Sequence, residues 1–210
     1  MRKIFVVVPF VAIAAALFAQ TPSATKASTA PKAAAAVSAP PVVPPRKADE
    51  FVIHMANGPD QLLSSYRGKI VVFAMMYTTC PHCQHTAGVL AKIQTEYAAK
   101  GVQILGVTFD SNAQRGVPGF IQITGANFPV GYSTEDQVRK FMHIEGDYFV
   151  PMLAFIDKTG MIRSQVVSTG DPNSVADKFL LDQENTLRKE IDKYLKPGAA
   201  PAAKKAEPKS

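Results

Sequence analysis

The chain has 210 residues, 47% of them hydrophobic, with two cysteines and a formal net charge of +6. Residues 1–47 and 197–210 contain nine of the 23 basic residues but only one of the 17 acidic residues, which leaves 14 basic and 16 acidic residues between them. Because the middle of the chain is slightly acidic, its composition argues against a nucleic-acid-binding surface, and we expect no nucleic-acid partner.

Residues 1–19 have the pattern of a secretory signal peptide. Arg2 and Lys3 precede an uncharged, mostly apolar run from Ile4 to Ala19, which ends in a small residue suited to cleavage. We therefore expect the protein to be exported, with the periplasm as the expected compartment. An uncleaved segment would instead anchor the protein in the inner membrane, since the run is only slightly shorter than a spanning helix. Membrane association is expected only in that case.

The next segment, residues 20–47, consists mostly of Ala, Pro, Ser, Thr and Val and predicts a disordered linker. Residues 197–210 have a similar content of Ala, Pro and Lys and predict a disordered tail. The residues between them, 48–196, are enough for one domain with a hydrophobic core.

The first half of this domain predicts a strand, a helix and another strand. Residues 51–55 predict a short first strand, and Ile70 to Met75 is continuously apolar, as expected for a central strand covered on both faces. A pattern of helical period follows and ends at Gly101, and Val102 to Thr108 predicts a second buried strand. Because a helix connects the two buried strands, we expect them to be parallel.

Two further helices are predicted after the second buried strand. Asp110 is expected to cap a helix that Gly116, Pro118 and Gly119 interrupt, since glycine and proline disfavour a helix interior. Residues 133–141 predict the next helix.

The end of the domain predicts a β-hairpin and a helix. Residues 152–157 and 161–167 predict antiparallel strands around a short Lys-Thr-Gly turn, and residues 171–194 predict one amphipathic helix. The elements together predict an α/β fold in which helices flank a central mixed β-sheet.

The two cysteines lie three residues apart, in Cys80-Pro81-His82-Cys83, between the first buried strand and the helix. A structural disulfide at this spacing would add little stability, because the stabilisation grows with the length of the loop that is closed. The spacing is better explained by a redox-active disulfide that opens and closes, and no other cofactor is expected.

The position of each residue in the motif predicts its role. Cys80 should lie at the helix N-terminus, where free backbone N–H groups and the helix dipole favour an anion, so that it becomes the nucleophile. Cys83, one turn further on, is expected to release the product from a mixed disulfide. Pro81 suits the first helical turn, and His82 either assists the Cys80 thiolate or is a solvent-facing spacer.

Metal binding is the alternative interpretation of the same segment. Cys80, His82, Cys83 and His85 place two thiols and two imidazoles within six residues, and several methionines could supply thioethers to copper(I). A helix projects these four side chains in different directions, however, which makes closure on one ion difficult. A copper- or zinc-binding metallochaperone is therefore kept as the alternative function, and we assign no residue to a metal site. The methionines are Met75, Met76, Met142 and Met152.

Several blocks, in this order, make the sequence similar to exported thioredoxin-like thiol-disulfide oxidoreductases of the TlpA/ResA type, in the AhpC/TSA–Redoxin superfamily. The blocks are Ser64 to Lys69, Cys80 to Cys83, Gly106 to Asp110, Val150-Pro151 and Phe155 to Gly160. The resemblance extends over most of the domain and implies a thioredoxin fold.

This resemblance implies enzymatic disulfide exchange with protein substrates, together with a membrane redox partner that recycles the enzyme. It suggests a role in cytochrome c maturation or in maintaining envelope disulfides. The direction of electron flow stays open, because Pro81-His82 is the dipeptide of oxidising DsbA-type proteins, whereas TlpA/ResA proteins are commonly reductants. Peroxidase activity is not expected, because Tyr77 stands where peroxiredoxins carry Thr or Ser, three residues before the cysteine.

The resemblance also implies a substrate-binding edge beside the cysteines. Pro151 occupies the position at which thioredoxin-like proteins carry a cis proline, so the Val150–Pro151 bond is expected to be cis and the Val150 backbone to pair with substrate. Thr79 replaces the aromatic residue that usually precedes the first cysteine and is also expected to contact substrate.

Overall fold

A computed structural model describes residues 43–196 of the chain. The described residues form eight strands and five α-helices. The strands are β1 (Arg46–Lys47), β2 (Val52–Ile53), β3 (Gln61–Leu62), β4 (Ile70–Met76), β5 (Val102–Thr108), β6 (Val130–Tyr132), β7 (Phe149–Ile156) and β8 (Met161–Ser168). The helices are α1 (Pro81–Tyr97), α2 (Ala113–Thr124), α3 (Glu135–Met142), α4 (Val175–Leu181) and α5 (Gln183–Leu195).

Six strands form one mixed sheet in the order β1-β8-β7-β4-β5-β6, and β2 and β3 form a separate two-stranded ribbon. Strand β4 pairs in parallel with β5 and antiparallel with β7, and β5 pairs in parallel with β6. The parallel β4–β5 pair and the antiparallel β7–β8 hairpin are confirmed. The α/β class with a central mixed sheet is also confirmed.

Strand β4 is buried along its whole length because side chains cover both faces of the sheet. Val72, Ala74 and Met76 belong to the core on the side of α1 and α5. The opposite face contains Phe73, which lies 5.0 Å from the Phe51 ring and 5.4 Å from the ring of Phe141 in α3, in edge-to-face contacts. The carboxyl end of this strand is therefore held firmly where it delivers the cysteine motif to α1.

The predicted interruption of the helix after Asp110 is wrong. Helix α2 continues from Ala113 to Thr124 with Pro118 inside it. Pro118 removes only the hydrogen bond to the carbonyl of Gln114, and both residues are exposed, so water can solvate that carbonyl. The apolar face of α2 packs into the core through Val117 and Phe120, which outweighs the unfavourable helix propensity of proline and glycine.

The final helix is divided, contrary to the prediction of one helix over residues 171–194. Ser174 caps α4 by accepting a hydrogen bond from the backbone N–H of Asp177 at 3.0 Å. Asp182 then leaves helical geometry, with φ −120° and ψ 54°, and α5 begins at the next residue. The hydrophobic period continues across this break, so the periodicity alone could not reveal it.

The predicted boundary between linker and domain also needs correction. Arg46 and Lys47, the last residues of the predicted linker, pair with Ile162 and Met161 at the edge of β8. Arg46 donates a further hydrogen bond to the backbone carbonyl of Phe141. The ordered domain thus begins before residue 48. The predicted signal peptide, the rest of the linker up to residue 42 and the tail lie outside the described residues.

Within residues 43–196, no helix has both the length and the hydropathy needed to cross a bilayer.

Candidate active site

The Cys80-to-Cys83 segment lies at the junction of β4 and α1. Cys80 is the N-cap of α1 with extended backbone geometry, and Pro81 occupies the first helical turn. The Cys80 sulfur accepts a hydrogen bond from the backbone N–H of Cys83 at 3.4 Å. A sulfur at this place faces the free N–H groups of the first helical turn, which stabilise negative charge on it.

The two cysteines differ sharply in exposure. Cys80 is half-buried, whereas Cys83 is completely buried, and both are free thiols in this structure. Burial raises the pKa of the Cys83 thiol, and the neighbouring Cys80 and Asp110 add to this effect, while a hydrogen bond from the Tyr77 N–H at 3.4 Å opposes it. Cys83 therefore keeps its proton at neutral pH, and Cys80 is the sulfur that an external partner can reach.

Asp110 holds the loop that precedes the cysteines. Its carboxylate accepts hydrogen bonds from the Thr78 N–H at 2.7 Å and from the Thr78 hydroxyl at 3.1 Å. Gln84, in α1, donates to the Thr78 carbonyl at 3.0 Å. Thr78 is buried and is thus fixed from two sides, two residues before Cys80.

This arrangement corrects the expectation that Asp110 caps a helix. Asn112 is the N-cap residue of α2, and the Asp110 carboxylate binds both the loop after β4 and, at 3.2 Å, the backbone N–H of Asn112. The sequence does contain a signal for this contact. Met76 pairs with Thr108 at the parallel ends of β4 and β5, so the residues two positions beyond each strand, Thr78 and Asp110, emerge side by side.

Gly116 packs directly against Thr78 from α2. A Cβ atom at residue 116 would lie 2.7 Å from the Thr78 hydroxyl oxygen and 2.9 Å from its methyl carbon, closer than real Cβ contacts. Because Asp110 binds the Thr78 hydroxyl and N–H while Gln84 binds its carbonyl, the Thr78 side chain cannot move aside easily. The glycine therefore allows α2 to approach the cysteine loop closely.

A matched pair of substitutions in α2 tests this contact. Gly116→Ala is expected to destabilise the protein by about 1–3 kcal/mol through overpacking. Gly119→Ala is expected to stabilise it by about 0.5–1 kcal/mol, since alanine favours a helix and a Cβ at residue 119 meets no atom of residues 43–196 within 4 Å. Urea unfolding of both variants measures the difference. If Gly116→Ala stabilised the protein as much as Gly119→Ala, Thr78 would not be fixed.

The expected cis Val150–Pro151 bond is confirmed. The β7–β8 pairing passes from Phe149–Ser168 directly to Met152–Val167, so Val150 and Pro151 have no paired residue in β8. The β7 pairing with β4 also begins only at Met152. The backbone of Val150, the second residue of β7, thus pairs with neither β4 nor β8.

Two other predicted site residues lie on the surface. Thr79 and His82 are exposed around half-buried Cys80, and His82 lines a cleft together with Val150 and Pro151.

A tyrosine pair beside the motif was not predicted. The Tyr77 and Tyr148 hydroxyls are 3.0 Å apart, and the guanidinium of Arg139 lies 4.5 Å from the centre of the Tyr148 ring. Burial raises the pKa of Tyr148, and hydrogen bonds with Tyr77 and Glu135 raise it further. The pair links the loop before Cys80 to the loop before β7. The sequence alone does not predict this contact, because the two tyrosines are 71 residues apart in the chain.

The residues considered for metal binding do not converge. Cys83 is buried, whereas His82 and His85 are exposed on α1. All four methionines are buried in the core, and among residues 43–196 no group of three or more His, Cys, Asp or Glu side chains is arranged to hold a metal ion. Their positions favour the interpretation of the methionines as core residues.

Comparisons with known proteins agree with this geometry. The sequence pattern of the AhpC/TSA family matches residues 44–165. The thiol-disulfide oxidoreductase ResA of Geobacillus thermodenitrificans (strain NG80-2) is 28% identical over 122 residues, which cover 58% of this chain and 68% of that protein.

Solved structures show the same fold. A thiol:disulfide interchange protein of the thioredoxin family from Chlorobium tepidum TLS superposes with a TM-score of 0.55 at 22% identity, covering 70% of this chain and 97% of that one. A thiol:disulfide interchange protein from Bacteroides sp. superposes with a TM-score of 0.55 at 19% identity, covering 72% and 91%. The chain belongs to the AhpC/TSA family and is a thioredoxin-like thiol-disulfide oxidoreductase of the TlpA/ResA type.

Proposed function

We propose that the protein exchanges disulfides with exported protein substrates through Cys80 and Cys83. The observation that carries this proposal is the contrast between half-buried Cys80 at the N-terminus of α1 and fully buried Cys83 one turn later. An accessible sulfur near free N–H groups suits attack on a partner, whereas a buried sulfur suits only an intramolecular step.

In the reducing direction, the Cys80 thiolate attacks one sulfur of a substrate disulfide. A Cys80–substrate bond forms, the substrate disulfide breaks, and its second sulfur leaves as a thiolate. Cys83 then attacks the Cys80 sulfur, so that the Cys80–Cys83 disulfide forms and the Cys80–substrate bond breaks. The Cys83 proton passes to the substrate sulfur that leaves in this step. The substrate gains two electrons and the enzyme loses two. The reverse sequence oxidises a substrate dithiol.

The redox-active cysteine pair is the only redox group that this chemistry needs. Val150 supports substrate binding because its backbone is not used by β4 or β8 and can pair with an extended substrate chain. Exposed Thr79 is proposed to contact the same chain, and exposed His82 to influence the Cys80 thiolate. Pro81 starts the helix that stabilises this sulfur.

The cellular setting is also a proposal. The N-terminal sequence supports export to the periplasm. A membrane redox partner would return the cysteines to the oxidation state in which they react with substrate. Cytochrome c maturation and maintenance of envelope disulfides are the processes that we propose. Among residues 43–196, no contact favours copper or zinc transfer over disulfide exchange.

An insulin reduction assay with dithiothreitol tests the activity. The wild-type protein is expected to accelerate precipitation of the insulin B chain, and a rate equal to that with dithiothreitol alone would contradict the proposal. Equilibration of the cysteine pair with glutathione then gives the direction. A reduction potential near thioredoxin's, about −270 mV, would indicate a reductant, and one near about −120 mV an oxidant.

A further inference from the structure

Tyr77 is the first residue after β4, and its backbone contacts both residues of the cysteine pair. Its N–H donates to the Cys83 sulfur at 3.4 Å, and its carbonyl accepts a hydrogen bond from the Cys80 N–H at 3.3 Å. The contacts that hold the Tyr77 side chain therefore also hold the backbone to which both cysteines are bonded.

The Tyr77 side chain lies on the face of the sheet opposite α1. Its ring meets buried Phe109 edge-to-face, with the ring centres 4.7 Å apart. Its hydroxyl lies 3.0 Å from the Tyr148 hydroxyl. Because both tyrosines are half-buried, this hydrogen bond is partly shielded from water, which strengthens it.

Helix α3 holds the other tyrosine of the pair. Arg139 places its guanidinium 4.5 Å from the centre of the Tyr148 ring, an arrangement that attracts the cation to the ring face. The same guanidinium donates to the Gly146 carbonyl at 2.9 Å and to the Glu135 carboxylate at 2.8 Å. The loop before β7 is thus fixed to a helix where it meets Tyr77.

The backbone of Val150 depends on this contact for its position. Val150 lies two residues after Tyr148, and the pairing of β7 with β4 begins only at Met152. Among residues 43–196, the tyrosine pair is the only hydrogen bond that joins residues 143–150 to residues 77–83. It therefore connects the edge at which we propose that substrate binds to the segment that holds the cysteines.

We propose that the Tyr77 and Tyr148 hydroxyls position the Val150 backbone relative to Cys80, so that a bound polypeptide presents its sulfur in line for attack. The inference rests on the proposed function and adds two positioning residues to it, since neither hydroxyl takes part in the exchange of sulfur atoms. A substrate without a peptide backbone cannot pair with Val150, so the contact should affect polypeptide substrates selectively.

Two mixed disulfides with the same leaving group test this selectivity. A short cysteine-containing peptide and mercaptoethanol are each linked to thionitrobenzoate. The Cys80 thiolate attacks the sulfur of the peptide or of mercaptoethanol, the bond to thionitrobenzoate breaks, and thionitrobenzoate leaves as a coloured thiolate. Both rate constants are measured with the reduced full-length protein. The ratio of the peptide to the mercaptoethanol rate constant measures the contribution of the peptide backbone.

Phenylalanine variants assign this contribution to the hydroxyl pair. Tyr77→Phe and Tyr148→Phe each remove one hydroxyl and keep the ring, and each is expected to lower the ratio about three- to tenfold. The double variant should lower it no further, because the two hydroxyls form one contact. Tyr66→Phe is the matched control, since Tyr66 is also half-buried and its hydroxyl donates to Gln61, and it should keep the wild-type ratio.

Three results would overturn the proposal. The first is a wild-type ratio in both single variants. The second is an equal fall of both rate constants, because the contact would then hold only the cysteines and not the substrate edge. The third is a double variant whose ratio falls by the product of the two single effects, because the hydroxyls would then act independently.

Insulin reduction separates this inference from the function on which it rests. If the wild-type protein reduces insulin but all variants keep its ratio, the proposed function is retained and only the inference is lost. A wild-type protein that does not reduce insulin, and that reacts with neither mixed disulfide faster than free cysteine does, contradicts both.

Discussion

Cys80→Ser is expected to reduce disulfide exchange to the uncatalysed rate, whereas Cys83→Ser is expected to accumulate a covalent complex with substrate. Serine at residue 80 removes the one sulfur that an external disulfide can reach, since Cys83 is completely buried. Serine at residue 83 leaves Cys80 able to attack but removes the thiol that resolves the mixed disulfide. The measurement combines insulin reduction rates with non-reducing electrophoresis and mass spectrometry of the trapped species.

The double variant Cys80→Ser/Cys83→Ser is the control for this pair and should neither turn over nor trap substrate. Trapping by Cys80→Ser, with none by Cys83→Ser, would reverse the roles of the two cysteines. Turnover by both single variants would exclude the pair as the redox centre.

Asp110→Ala is expected to have the second largest effect, on both stability and exchange. It leaves the N–H and hydroxyl of buried Thr78 without their acceptor, which should cost about 3 kcal/mol of unfolding free energy. Because Thr78 is two residues from Cys80, release of this loop should also reduce the exchange rate about tenfold or more. Urea unfolding and insulin reduction measure the two effects.

Asp110→Asn is the matched comparison. The amide keeps one oxygen acceptor but places an NH₂ group where the second carboxylate oxygen accepts, so an intermediate loss of stability is expected. If Asp110→Ala unfolds at the wild-type urea concentration and exchanges at the wild-type rate, Asp110 does not hold the cysteine loop.

The central elements of the fold could be predicted because their signals are local. The continuously apolar β4 and β5, with an amphipathic helix between them, specify a parallel pair within one short stretch of chain. The cysteine motif lies at the junction of strand and helix, so its position at the start of α1 follows from the same pattern. The cis bond before Pro151 was predicted from a family resemblance and not from the local sequence.

Contacts between distant segments could not be predicted in this way. The short β6 has little pattern of its own and is specified by pairing with β5, while β1 depends on the exposed edge of β8. The tyrosine pair depends on how the loop before β7 meets the loop before Cys80, and the cleft beside His82 depends on how the start of β7 meets α1 and α4. Tertiary packing likewise keeps α2 helical through Pro118, against its local propensity.

Timed alkylation of the reduced, folded protein at neutral pH tests the central claim most directly. Mass spectrometry of peptides after limited reaction with iodoacetamide gives the extent of modification at each cysteine. Because Cys80 is half-buried at the helix N-terminus and Cys83 is completely buried, we expect Cys80 to be modified and Cys83 to stay free until the protein is unfolded in urea. Modification of Cys83 before Cys80, or of both at equal rates, would contradict the account.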